Sequence, residues 1–96
     1  MVDLTKIKNI YLYPDTVNFR IGIPGLSNII HTSYKENEIQ NSLFIFFGRD
    51  KRQIKMIEIA SDGIWLYQKK LFDGHFMLPT YDKGKVKIDK KQLIQI

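Results

Sequence analysis

The segment from Leu43 to Pro79 constrains the fold more than any other part of this chain. It reads as runs of apolar and aromatic residues joined by very short polar turns. Leu43–Phe47 is a first run, Gly48 to Arg52 a basic turn, and Gln53–Ala60 a second run. Asp62-Gly63 then separates it from Ile64–Leu71, and Asp73-Gly74 leads into a short run around His75–Leu78, ended by Pro79. Connections this short join only antiparallel neighbours, because a parallel partner needs a crossover of a dozen or more residues. Asp-Gly suits a type I′ hairpin turn, which needs positive φ at both central positions.

The flanking segments supply the other elements. Asn9–Tyr13 reads as a strand stopped by Pro14-Asp15. Pro24 fits the start of a helix, where its missing N–H is not needed. Ile23, Leu26, Ile29 and Ile30 then recur at helical spacing to about Tyr34. Lys35–Glu38 is a polar connector, and Lys83-Gly84 turns into a strand at Lys85–Ile88. A last helix starts at Asp89, whose carboxylate can accept from the N–H of Gln92 while the Gln92 amide reaches back. Ile88 and Leu93 occupy the two positions of a hydrophobic staple. The expected fold is α+β, with residues 1–96 as a single domain. It has an antiparallel sheet of about five to six strands, one main helix over about residues 23–34 on one face, and a short C-terminal helix.

Ninety-six residues bury about two-thirds of the surface that the unfolded chain exposes, enough for one core. An apolar fraction of 44% is that of a globular protein. No apolar run is long enough to span a bilayer, and residues 1–8 do not open a signal peptide. The chain has no cysteine, which removes disulfides and thiolate chemistry together and fits a cytoplasmic setting. The net charge is +5 and is unevenly placed. Residues 1–48 carry four basic and four acidic side chains; residues 49–96 carry the other eleven basic and six acidic ones. Such asymmetry points to a polyanionic partner, the alternative being a solvated lysine-rich surface.

The Asp62-Gly63 turn sets an expected register, with Ser61 opposite Ile64, Ile59 opposite Leu66 and Ile57 opposite Gln68. Ile57, Ile59, Ile64 and Leu66 then form the seat of the main helix. On the other face Glu58 opposes Tyr67 and Met56 opposes Lys69. Trp65 and Tyr67 beside Lys69 would suit base stacking or a protein partner, the alternative being a second core layer under the C-terminal helix. Arg49, Lys51 and Arg52, with Lys55 just after, form the densest cationic cluster, placed to touch a DNA backbone. Lys69 and Lys70 add to it, and Arg20 sits on the loop before the main helix.

Catalytic chemistry is not legible. Asp62 and Asp73 each precede a glycine and are explained by turns; only Glu58 is a mid-strand carboxylate. No carboxylate pair has a spacing that converges on metal ions, as DNA cutting would need. His31 and His75 are scattered, and no glycine-rich phosphate loop is present. No catalytic residue, metal ligand or cofactor is expected.

The central segment nevertheless resembles a known family. Phe44, Phe46 and Arg49, then Ile54-Lys55, then Asp62, Gly63, Trp65 and Leu66, then Lys69, Lys70, Leu71, Gly74, Phe76 and Pro79 follow its pattern. Arg20, Gly22, Gly25 and Leu26 fit an earlier motif, with departures at Asn18, Phe19, Ile21 and Pro24. Ile59 and Leu78 stand where relatives often carry Trp. The chain resembles, over roughly residues 9–95, the Orf2-like (TnpB-type) accessory proteins of the insertion-sequence-sixty-six class of bacterial transposons. The resemblance implies a non-catalytic helper of DNA transposition, with cutting and joining done by a separate transposase of the same element as its partner. The helper would bind DNA through Arg20, Arg49, Lys51, Arg52, Lys55, Lys69 and Lys70. Alternatively it would dock on the transposase through Trp65 and Tyr67 without touching DNA. The oligomeric state is left open.

Overall fold

The computed structural model describes residues 3–77, 86–94 and 96. A single five-stranded sheet organises them, in the order β4-β3-β2-β1-β5. The strands are β1 (Asn9–Val17), β2 (Ser42–Gly48), β3 (Gln53–Ile59), β4 (Ile64–Lys70) and β5 (Val86–Ile88). Helices α1 (Gly22–Ser33) and α2 (Glu36–Ile39) join β1 to β2, and α3 (Lys90–Ile94) follows β5. The class is α+β, with one main helix and a short C-terminal one.

One strand pair departs from the expected antiparallel sheet. β1 and β2 run parallel, Asn9 opposite Ser42 through Leu12 opposite Ile45, so the sheet is mixed. The α1–α2 segment is the crossover that a parallel pair requires. Nor does β1 stop at Pro14-Asp15. It continues to Val17 through a register shift between Leu12 and Thr16, which places Pro14 where the ladder is already interrupted.

Sequence periodicity explains the two core layers. β2 is buried at every position. Its Phe44 and Phe46 pack with Tyr11, Ile57, Leu26 and Ile30 beneath α1, while Leu43, Ile45 and Phe47 face the opposite layer with Ile10, Leu12, Ile54, Val86 and Ile88. Tyr11, Tyr34 and Phe44 form an aromatic cluster in the α1 layer, with ring centroids 4.8 to 5.5 Å apart. The α3 layer is completed by Leu4, Leu93 and Ile96. α3 begins as its sequence dictates: Asp89 Oδ1 accepts from the Gln92 N–H and Gln92 Oε1 accepts from the Asp89 N–H, both at 2.8 Å.

The β3–β4 register differs from expectation by two residues: Ile59 faces Ile64, Ile57 faces Leu66 and Met56 faces Tyr67. The tight turn is Ser61-Asp62, closed by Ala60 N–H donating to the Gly63 carbonyl at 2.8 Å. Gly63 does not take the positive φ of a type I′ turn. A slip of two preserves side-chain parity, so each residue keeps its expected face, but only Ile57 and Ile59 of the expected helix seat pack in the α1 layer, while Ile64 and Leu66 stay exposed.

The expected strand around His75–Leu78 does not form over His75–Met77. Phe76 spends its N–H on the Lys51 carbonyl at 2.6 Å and buries its ring edge-on against Phe47, 5.9 Å between centroids. Leu78, Pro79, the Lys83-Gly84 turn and Lys85 lie outside the described residues.

Candidate nucleic-acid interface

The parallel β1–β2 pair brings the carboxyl ends of both strands to one end of the sheet. At that end Val17, Asn18, Phe19 and Arg20 from one segment and Gly48, Arg49, Asp50 and Gln53 from another line a cleft of about 390 Å³. Arg20 and Arg49 therefore share one cleft although they are far apart in sequence.

Local chemistry builds each wall. Asn18 Oδ1 accepts the Arg20 N–H at 3.1 Å, capping the 3-10 turn Phe19–Ile21. Gly22 follows at φ 66, ψ −171, a region essentially reserved for glycine. Gly25 lies so close to Ile21 that a β-carbon there would overlap its side chain. On the other wall, Gly48 lets the Phe19 ring approach: a β-carbon would sit 3.1 Å from Phe19 Cε2. Asp50 Oδ1 accepts the Arg52 N–H at 2.9 Å and so shapes the β2–β3 turn. That bond holds the Asp50 carboxyl below its usual range, with the charges of Lys70 and Arg52 contributing in the same direction.

The remaining predicted cations divide. Lys55 stands beside the cleft: its Nζ is 4.9 Å from the centroid of the Phe19 ring. Lys70 pairs with Gln53 across β3–β4 and so shares the α1 face at the same end. Lys51 occupies the turn tip, exposed at φ 57. Arg52 turns inward and is half-buried; its Nη2 donates to the Phe72 carbonyl at 3.2 Å while its own carbonyl accepts the Leu71 N–H at 2.8 Å. It ties the β2–β3 turn to the chain leaving β4. Lys69 points to the opposite face, where it helps line a different groove.

Trp65 and Tyr67 also separate. Tyr67 packs, partly buried, against the α3 layer and donates to Glu58 Oε1 at 3.2 Å. Trp65 remains 60% exposed. Beside them Ile54, Met56, Tyr67, Leu93 and Ile96 line an apolar groove of about 280 Å³ between the sheet and α3.

Phe19, Asn18, Gln53 and Gly48 line the cleft without having been singled out as binding residues. Asn18 and Gly48 had turn-forming identities as their only sequence signal. Among the described residues, no three His, Asp or Glu side chains are grouped so as to hold a metal ion. Among the same residues, no helix is long and apolar enough to cross a membrane.

Comparison with known proteins places the chain. Residues 8–96 match the family described as IS66 Orf2 like protein. An uncharacterized protein, y4hO, of Sinorhizobium fredii (strain NBRC 101917 / NGR234) is 32% identical over 76 residues, which is 79% of this chain. The match spans 66% of that relative's own length. No solved structure matches the chain. With its central and N-terminal motifs lying in the fold as described, and a family match over nearly its whole length, this chain belongs to the IS66 Orf2-like family of transposon-associated proteins.

Proposed function

We propose that this chain is a non-catalytic accessory protein that holds the DNA backbone at the cleft end of its sheet during transposition. The observation that carries this reading is the meeting of Arg20 and Arg49 in one cleft, with Lys55 and Lys70 on the same face beside it. Guanidinium groups form paired hydrogen bonds to phosphate oxygens, and lysines add charge without sequence preference. Arg20 and Arg49 are both exposed, and so available to a ligand. Contacts of this kind position a protein on DNA and do not read bases. Binding of the pure protein to a labelled duplex in an anisotropy titration tests the reading. It predicts micromolar affinity that collapses with added salt; no binding at low salt overturns it.

The groove between the sheet and α3, with Trp65 exposed nearby, is an apolar surface suited to the transposase of the same element. Co-purification with that transposase, lost on Trp65→Ala in a folded protein, is the result expected.

A further inference from the structure

We propose that β4 is a pairing edge for a second copy of this chain, joining two five-stranded sheets into one. The two edges of the sheet differ. β5 spans three residues, whereas β4 spans seven and has no neighbour on its outer side among the described residues. An unpaired strand edge of that length presents a row of free backbone groups and is a template for another strand.

The ladder fixes which groups are free. Ala60 N–H bonds the Gly63 carbonyl, and Leu71 N–H bonds the Arg52 carbonyl, so these two pairs are hydrogen-bonded ones. Alternation along an antiparallel pair then turns the backbone groups of Trp65, Tyr67 and Lys69 inward to β3, and those of Ile64, Leu66, Gln68 and Lys70 outward.

The side chains of β4 are polarised along the strand. Ile64, Trp65 and Leu66 are 41%, 60% and 37% exposed, while Lys69 and Lys70 occupy the other end. Parallel pairing of two such edges would stack lysine on lysine. Antiparallel pairing about a two-fold axis at Tyr67 sets Trp65 of each copy opposite Lys69 of the other, Ile64 opposite Lys70, and Leu66 opposite Gln68. This arrangement separates the like charges and lets lysine stems cover the apolar end, with their ammonium groups near an indole ring. The edge is thus complementary to itself in one orientation, which is what a two-fold interface requires. It also carries two cleft ends into one assembly. The pairing stands independently of DNA binding.

Sedimentation equilibrium of the whole protein across a concentration range is the test. The expected result is a monomer–dimer equilibrium that tightens as salt rises, because each copy carries +5 and salt screens their repulsion. That dependence is opposite in sign to the one expected for DNA, so the two readings fail separately. Gln68→Pro removes an outward N–H and spares the backbone bonds to β3, losing on that side only the side-chain bond from Gln68 Nε2 to Gln53 Oε1, and it should weaken the dimer by about tenfold or more. Trp65→Lys, at an exposed position, places like charges opposite one another and should do the same should the proline variant fail to fold. A monomer at all concentrations, or a dimer unchanged in the folded variants, overturns the proposal.

Discussion

Lys55 Nζ stands 4.9 Å from the centroid of the Phe19 ring, and the same ring lies so near Gly48 that a β-carbon there would sit 3.1 Å from Phe19 Cε2. One aromatic side chain thereby joins the segment after β1, the end of β2 and the middle of β3. It holds a cation beside the two arginines of the cleft. Phe19 is one of the departures from the resembled family's pattern, and its ring supplies a cation–π surface for Lys55.

The backbone entering α1 predicts a contrast between two glycines. Gly22→Ala forces a side chain into a glycine-only region and should cost about 1–3 kcal/mol. Gly63→Ala meets nothing within 4 Å and takes no left-handed φ, so it should change stability by less than about 0.5 kcal/mol. Chemical denaturation of the two variants checks both.

Two phenylalanines make a similar contrast for the core. Phe44 is buried in the aromatic cluster beneath α1, and Phe44→Ala should cost about 3–5 kcal/mol. Phe72 is fully exposed, and its replacement by Ala should leave the melting temperature nearly unchanged.

Arg52 separates structure from binding. Its guanidinium is engaged with the Phe72 carbonyl, so Arg52→Ala should lower stability by about 1–2 kcal/mol. It should change DNA affinity less than Arg49→Ala does, although the two arginines are close in sequence. Parallel denaturation and anisotropy measurements decide this.

Burial pushes the Tyr34 hydroxyl well above the ordinary phenol range, with nearby Tyr13, Glu38 and Tyr11 adding to the effect. Its contribution to stability is complete below the unfolded pKa of about 10 and is lost as pH rises beyond it. Denaturation midpoints should therefore fall on the alkaline side. Tyr34→Phe should flatten that fall, because the variant has no phenol to ionise.

Local chemistry was readable from sequence, and long-range placement was not. The Asp89–Gln92 capping pair, the start of α1 near Pro24 and the faces of β3 and β4 depend on neighbours within a few residues. Asp62-Gly63 marked the hairpin but placed its centre one residue late, because an Asp-Gly pair also suits a turn ending at glycine. The parallel β1–β2 pairing rests on the α1–α2 crossover, which no short-range pattern specifies. The meeting of Arg20 with Arg49 follows from that pairing alone, so the cationic cluster was visible in the β2–β3 turn while the cleft was not. Arg52 and Lys69 are cations like Arg49 and Lys55, yet one turns into the fold and the other to the far face.

Whether the cleft end of the sheet holds DNA phosphates is decided by the salt dependence of binding. The logarithm of the association constant for a DNA duplex should be measured against the logarithm of salt concentration, for the wild type and for Arg20→Ala/Arg49→Ala. Loss of two phosphate contacts should give weaker binding at every salt concentration and a slope shallower by about two, with the fold retained. Equal slopes and affinities for the two proteins would contradict that role of the cleft.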